Sequence, residues 1–137
     1  MRQAHAAVVI VCLVAGVWAQ TSGSVWDGVY TRDQASKGDA LYAQHCASCH
    51  GISLTGGESA PPLAGGDFLS NWNGLTVGDL FERIRTTMPA SRPGGLNRET
   101  NVAILAYLLA TNQFPSGESE LATRTEVLKQ IRVEPKK

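Results

Sequence analysis

The residues with the most specific chemistry stand together at Cys46-Ala47-Ser48-Cys49-His50. Two thiols two residues apart, followed at once by an imidazole, form the C-x-x-C-H spacing of covalent c-type haem attachment. The spacing has a physical reason. At a helix end it lets both sulfurs reach the vinyl groups on one edge of a porphyrin, while His50 turns its imidazole onto the iron from the same side. Other uses of the same atoms fit less well. A dithiol oxidoreductase places C-x-x-C after a strand within alternating strands and helices, whereas here the motif follows a helical pattern. A zinc site needs four ligands, and Cys46, Cys49, His50 and His45 crowd into one segment. A plain disulfide leaves His50 and the long glycine-rich stretch after it without a task.

A haem iron has a second axial position, and elimination points to its ligand. Apart from Met1, the only methionine is Met88, in Thr86-Thr87-Met88-Pro89. A thioether is the usual partner of histidine in electron-carrying haems, where it raises the reduction potential. Core filling is the bland alternative for a methionine. Met88, however, sits between a helical pattern and a Pro/Gly turn, 38 residues after His50. His45 is a poor rival, lying within one turn of the attachment segment.

Several elements must position these groups. Thr31 followed by Gln34 three residues later has the form of a capping box, and Ala35, Gly38, Leu41, Tyr42 and His45 continue at helical spacing. Residues 51–75 contain six glycines and two prolines and read as a long loop, a length that a wrapped cofactor explains. Thr76-Val77-Gly78-Asp79 starts a short helix with Leu80, Phe81 and Ile84 on one face, ending before Pro89. After Pro93-Gly94-Gly95, Asn97 caps the strongest helix, near 98–111, with Val102, Leu105, Leu108 and Leu109 as its stripe. The lead-in 20–30 reads as extended, with Trp26 and Tyr30 packed on the domain surface. The tail 115–137 reads as partly helical and folded back, through Leu121, Leu128 and Ile131.

Residues 1–19 read MRQAHAAVVIVCLVAGVWA, an apolar run after Arg2 with an A-x-A-like end. This is the pattern of a secretory signal peptide, cleaved after Ala19, and too short for a bilayer span; an uncleaved anchor is the minor alternative. The expected organisation is a signal peptide (1–19), a lead-in (20–30), one domain (31–114) and a tail (115–137). Cleavage leaves 118 of the 137 residues, with Cys46 and Cys49 as the remaining cysteines, in an exported, periplasmic setting.

In order along the chain, these features resemble the small class I cytochromes c over about residues 34–114. The resemblance rests on Gly38 and Tyr42, Cys46–His50, Pro61-Pro62-Leu63-Ala64-Gly65, Met88-Pro89 and Ala106-Tyr107-Leu108. It implies an all-α cytochrome c fold, three to five helices wrapped around one covalently attached haem c and its iron, with long irregular loops. It also implies that the first and last helices cross with Gly38 against Tyr107. A proline carbonyl, of Pro61 or its neighbour Pro62, accepts a hydrogen bond from the proximal histidine. The segment APPLAGGDFLSNWNGLTVGDLFERIRTTMP is similar to cytochrome domains beside quinoprotein dehydrogenases. Trp72 is then a candidate propionate contact or a packed aromatic, and Leu63, Phe68, Phe81, Ile84 and Leu105 are candidates for the haem wall.

With His50 and Met88 on the metal no coordination position is open, which favours one-electron shuttling over catalysis. The expected partners are redox proteins, from a periplasmic dehydrogenase to an oxidase or another cytochrome. The alternatives are a five-coordinate haem enzyme or sensor and, further off, a dithiol oxidoreductase. The equal counts of 12 basic and 12 acidic residues exclude an ordinary nucleic-acid binder. They also conceal a polarity. Residues 20–82 carry seven acidic and two basic residues, whereas 83–98 carry Arg83, Arg85, Arg92 and Arg98 with no acid. These arginines are either solvated or paired side chains, or a basic rim that steers an acidic partner.

Overall fold

A computed structural model describes residues 23–136, so the expected signal peptide lies outside the described residues. Six helices follow in order: α1 (Arg32–His45), α2 (Ala47–His50), α3 (Gly66–Trp72), α4 (Val77–Thr87), α5 (Arg98–Thr111) and α6 (Thr125–Leu128). The fold is all-α in character. α2 and α6 are single turns, and α1, α4 and α5 make up most of the helical chain. The one sheet among the described residues is a parallel pairing of β1 (Gly23–Ser24) with β2 (Ile131–Arg132). No described helix is long and apolar enough to cross a membrane.

The three long helices start where the sequence supplies an N-cap. The Thr31 hydroxyl accepts the Gln34 amide at 3.2 Å while the Gln34 side chain returns to the Thr31 amide. Thr76 and Asp79 make the same reciprocal box for α4. Asn97 accepts the Thr100 amide at 2.8 Å for α5. Each device satisfies amides that the first helical turn leaves without a carbonyl partner.

α1 and α5 cross in close contact, and Gly38 makes the approach possible. A Cβ at position 38 would collide with the Ala103 carbonyl and lie 2.8 Å from Tyr107 Cβ. The larger apolar cluster joins Phe68 of α3, Leu80 and Phe81 of α4, and Val102, Leu105, Ala106 and Leu109 of α5. A smaller cluster of Tyr42, Leu54, Ile104 and Leu108 lies beside the attachment segment, with Cys46 and Ala47 packed against it.

Three parts differ from the sequence expectation. The lead-in is not all extended, since Val25–Asp27 forms one 3-10 turn capped by Ser24, and Tyr30 is buried rather than laid on the surface. The stretch 51–75 is not all loop, because α3 forms within it. Phe68 and Trp72, one turn apart, pack against the larger cluster, and that burial overrides the poor helix propensity of Gly65-Gly66. In the tail only Thr125–Leu128 is helical, and Ile131 lies in β2 rather than on a helix. Tail and lead-in are held by tertiary contacts. Leu121, Leu128 and Val133 enter the larger cluster. Gln34 clamps Leu121 in both directions, at 3.0 and 2.7 Å. Trp26 meets Phe114 edge-on at 4.9 Å and donates to the Glu134 carbonyl, while the Tyr30 hydroxyl donates to the Phe114 carbonyl at 2.6 Å.

Candidate haem site

The attachment motif is a helical turn. The amides of Cys49 and His50 both bond the Cys46 carbonyl, at 3.2 and 3.0 Å, and the Gly51 amide bonds Ala47. Residues i, i+3 and i+4 of a turn are neighbours, so Cys49 and His50 lie one turn on from Cys46. Both thiols are free of disulfide bonding, Cys49 exposed and Cys46 half-buried. Burial, with a further contribution from Cys49, pushes the Cys46 thiol up to about 11. A thiol protonated at neutral pH is the reverse of the activated thiolate that dithiol exchange uses.

His50 is 7% exposed, and its Nδ1–H donates to the Pro61 carbonyl at 2.8 Å. Pro61 rather than Pro62 makes this contact. The bond occupies Nδ1 and leaves Nε2 as the ring's free lone pair, the arrangement that orients a metal-binding imidazole and raises its basicity.

The intervening loop is built to hold that carbonyl. The Tyr42 hydroxyl donates to the Gly51 carbonyl at 2.7 Å, the Gly56 amide to His50 at 2.9 Å and the Leu63 amide to Leu54 at 2.8 Å. Leu54 is fully buried in left-handed backbone (φ 58°), a conformation a leucine adopts only where packing enforces it. Gly56 is left-handed as well (φ 77°), and a Cβ there would lie 2.7–2.8 Å from Ala60 O, Pro62 N and Pro61 C. Burial, then the Cys46 and Tyr107 charges, raise the Tyr42 phenol to about 12, so it stays a hydrogen-bond donor.

Met88 ends α4 in extended backbone, its amide on Ile84 at 3.0 Å, and is half-buried. One turn earlier, Ile84 touches both apolar clusters, including the one that holds Cys46 and Ala47. The proposed wall residues divide into two kinds. Phe68, Phe81 and Leu105 are fully buried in the larger cluster, whereas Leu63 and Ile84 are half-buried and bridge the two. Trp72 is half-buried with its ring centroid 6.3 Å from that of Phe68.

The donor set suits a haem. Among the described residues no three His, Cys, Asp or Glu side chains converge as a bare metal site, and His45 joins no such group. A porphyrin brings its own equatorial donors, so the chain need only supply thiols for attachment and axial ligands. Cys46, Cys49, His50 and Met88 are residues of those types, and the half-buried Leu63, Ala64, Ile84 and Leu96 supply apolar surface beside them.

Residues 33–108, more than half of the chain, match the family model described as Cytochrome C oxidase, cbb3-type, subunit III. The chain belongs to this family of c-type cytochromes. Among solved structures this cytochrome is similar to a chain of the sulfane dehydrogenase SoxCD from Paracoccus pantotrophus, with 26% identity and a TM-score of 0.52. The match covers 79% of the present cytochrome and 61% of that chain, so the chain spans about three fifths of its relative's length. Among curated proteins none matches. A class I cytochrome domain implies haem c with iron, and electron transfer as its work.

The arginine-rich segment of this cytochrome is less positive than its sequence. Glu82, one residue before it, accepts from Arg85 at 3.1 and 2.6 Å. Arg98 turns inward, its guanidinium 5.2 Å from the Phe81 ring centroid and donating to Thr125, while Arg83 and Arg92 stay exposed. A basic rim of four free arginines is therefore not present, because the nearest acid lies just outside the window that looked acid-free. One side chain holding the site escaped the sequence reading. Asn112, at the end of α5, bonds the loop at Leu63 and Gly65. Nothing local signals it, since an Asn after a helix is an ordinary stop.

Proposed function

We propose that this cytochrome is an exported, periplasmic one-electron carrier with a single covalent haem held by Cys46 and Cys49. In this reading His50 and Met88 are the axial ligands, and electrons pass from a dehydrogenase to a respiratory acceptor. The observation that carries the reading is the 2.8 Å bond from His50 Nδ1 to the Pro61 carbonyl, on the helical turn that also presents both thiols. A histidine held in that tautomer is built to bind metal through Nε2, and it gains electron-donating character from the bond. When bound, the haem supplies a one-electron iron couple.

The chain's own contribution is to keep the ligand geometry similar in both redox states. Tyr42, Gly56 and Leu54 lock the loop behind His50. Half-buried Leu63 and Ile84 limit water, and the thioether of Met88 favours the reduced state. A dehydrogenase donor is supported by the likeness to a chain of the sulfane dehydrogenase structure.

The test is spectroscopic. The protein isolated from the periplasm is expected to keep its haem through acid–acetone extraction and, when oxidised, to show the long-wavelength sulfur-to-iron charge-transfer band. Met88→Ala should abolish that band and leave the haem attached. If the band is absent from the wild type and the variant spectrum is unchanged, Met88 is not a ligand and a five-coordinate enzyme or sensor is the better account. A colourless native protein would support the dithiol alternative instead.

A further inference from the structure

We propose that Asn112 is a positioning residue for the proximal histidine and that it helps set the reduction potential. The inference rests on the haem reading above and extends it to a side chain 62 positions from His50.

Asn112 is 8% exposed, and its side-chain amide is almost fully used. Nδ2 donates to the Leu63 carbonyl at 3.0 Å and to the Leu108 carbonyl at 2.8 Å. Oδ1 accepts the Gly65 amide at 3.0 Å. The Leu108 bond ties the side chain to its own helix, which is the long helix packed across α1, so the amide is a fixed point. The other two bonds hold the loop on either side of Ala64, and Leu63 is two residues after the Pro61 carbonyl that receives His50.

The segment from Pro61 to Gly65 is thereby pinned at both ends. At its start, the Pro61–Pro62 backbone packs closely against Gly56, where a Cβ would collide with it, and Leu63 is paired with Leu54 through the backbone. At its end, Asn112 supplies side-chain bonds from α5. A loop carbonyl aligned this way keeps a short, straight bond to Nδ1–H, which makes the imidazole a stronger donor and stabilises the oxidised iron. Loosening the clamp should weaken that bond and raise the potential.

The comparison is between two holoprotein variants and the wild type. Asn112→Leu keeps the volume and removes all three bonds. Asn97→Ala removes the N-cap of the same helix at its far end and serves as a stability control of similar cost. Potentials come from spectroelectrochemistry, and the His50 ring-proton exchange rate from NMR of the reduced protein. Asn112→Leu is expected to raise the potential by about 30 mV, a threefold change in a one-electron equilibrium, and to speed exchange at Nδ1–H. Asn97→Ala should lower the melting temperature and leave both readouts in place.

Should Asn112→Leu fail to fold, Asn112→Ala replaces it. It removes the same three bonds without adding a charge, and the same upward shift is expected. The inference is overturned if the potential and ring-proton exchange match the wild type in the variant that folds, or if Asn97→Ala shifts the potential as much. A wild type without covalent haem would instead sink the haem reading itself, a result visible before any variant is made.

Discussion

The two sides of the candidate site are held very differently. On the His50 side, hydrogen bonds donated by Tyr42, His50, Leu54, Gly56, Leu63, Gly65 and Asn112 stitch residues 50–65 to each other and to α1 and the end of α5. On the Met88 side, the loop beyond α4 is closed by two tight turns, Arg92 on Pro89 and Gly95 on Arg92, and residues 90–95 are all exposed. Its first firm anchor is Asn101, which donates to the Leu96 and Asn97 carbonyls from inside α5. The lesson is that one proposed ligand is built into the core by long-range bonds, while the other proposed ligand hangs from a helix end. Chemical or thermal stress should therefore release the methionine before the histidine.

Paired substitutions can break that contrast. The largest effect belongs to Gly56→Ala, where left-handed backbone and a Cβ pressed on Pro61 combine to cost about 2–4 kcal/mol. Thermal unfolding should show the loss, and the His50 ring-proton resonance should move with it. Tyr42→Phe comes next, since it removes one of two bonds to the Gly51 carbonyl, which keeps the Leu54 amide at 3.1 Å, at a cost of about 1 kcal/mol. Gly94→Ala, the equivalent left-handed glycine on the other side, has only the Arg85 carbonyl within reach, at 3.8 Å. Conformational strain alone should cost about 1 kcal/mol there, without moving His50 signals. Equal effects of Gly56→Ala and Gly94→Ala on the melting temperature would contradict the contrast.

The smallest effect is a pH dependence at the root of the Met88 helix. Hydrogen bonds from Arg85 and Thr125 hold the Glu82 carboxyl down to about 2, from its ordinary 4.5. The folded state then binds fewer protons than the unfolded one across that interval. Ionised Glu82 adds stability above pH 4.5, and the contribution is lost as pH falls towards 2. Glu82→Gln should lower the melting temperature slightly at neutral pH and converge with the wild type in acid. The effect is modest because the pair lies near the surface.

Much of this architecture is legible because its signals are local. The boxes Thr31–Gln34 and Thr76–Asp79 and the Asn97 cap each act over three residues, and the corresponding helices begin where those residues stand. The Cys46–His50 turn is read from five consecutive side chains. α3 is harder to see, because glycines at its start mask a short apolar face whose partners lie elsewhere in the chain. The arginine segment misleads for a related reason, since charge counted along the chain ignores what Glu82 reaches across one turn.

Sequence alone determines the chemistry of this cytochrome: two thiols and an imidazole at one helical turn, a single internal methionine and a set of capped helices. Those properties depend on residue type and spacing of five residues or fewer. Tertiary structure decides the support. Gly38 admits the Ala103 backbone, Gln34 seizes the tail at Leu121, and Asn112 grips the loop 47 and 49 residues away. Such contacts close long loops, and their partners are chosen by burial of apolar surface and by the need to satisfy buried amides and carbonyls. No short-range pattern encodes that choice, so the candidate ligands can be read from the sequence while the groups that hold them in place emerge only from the fold.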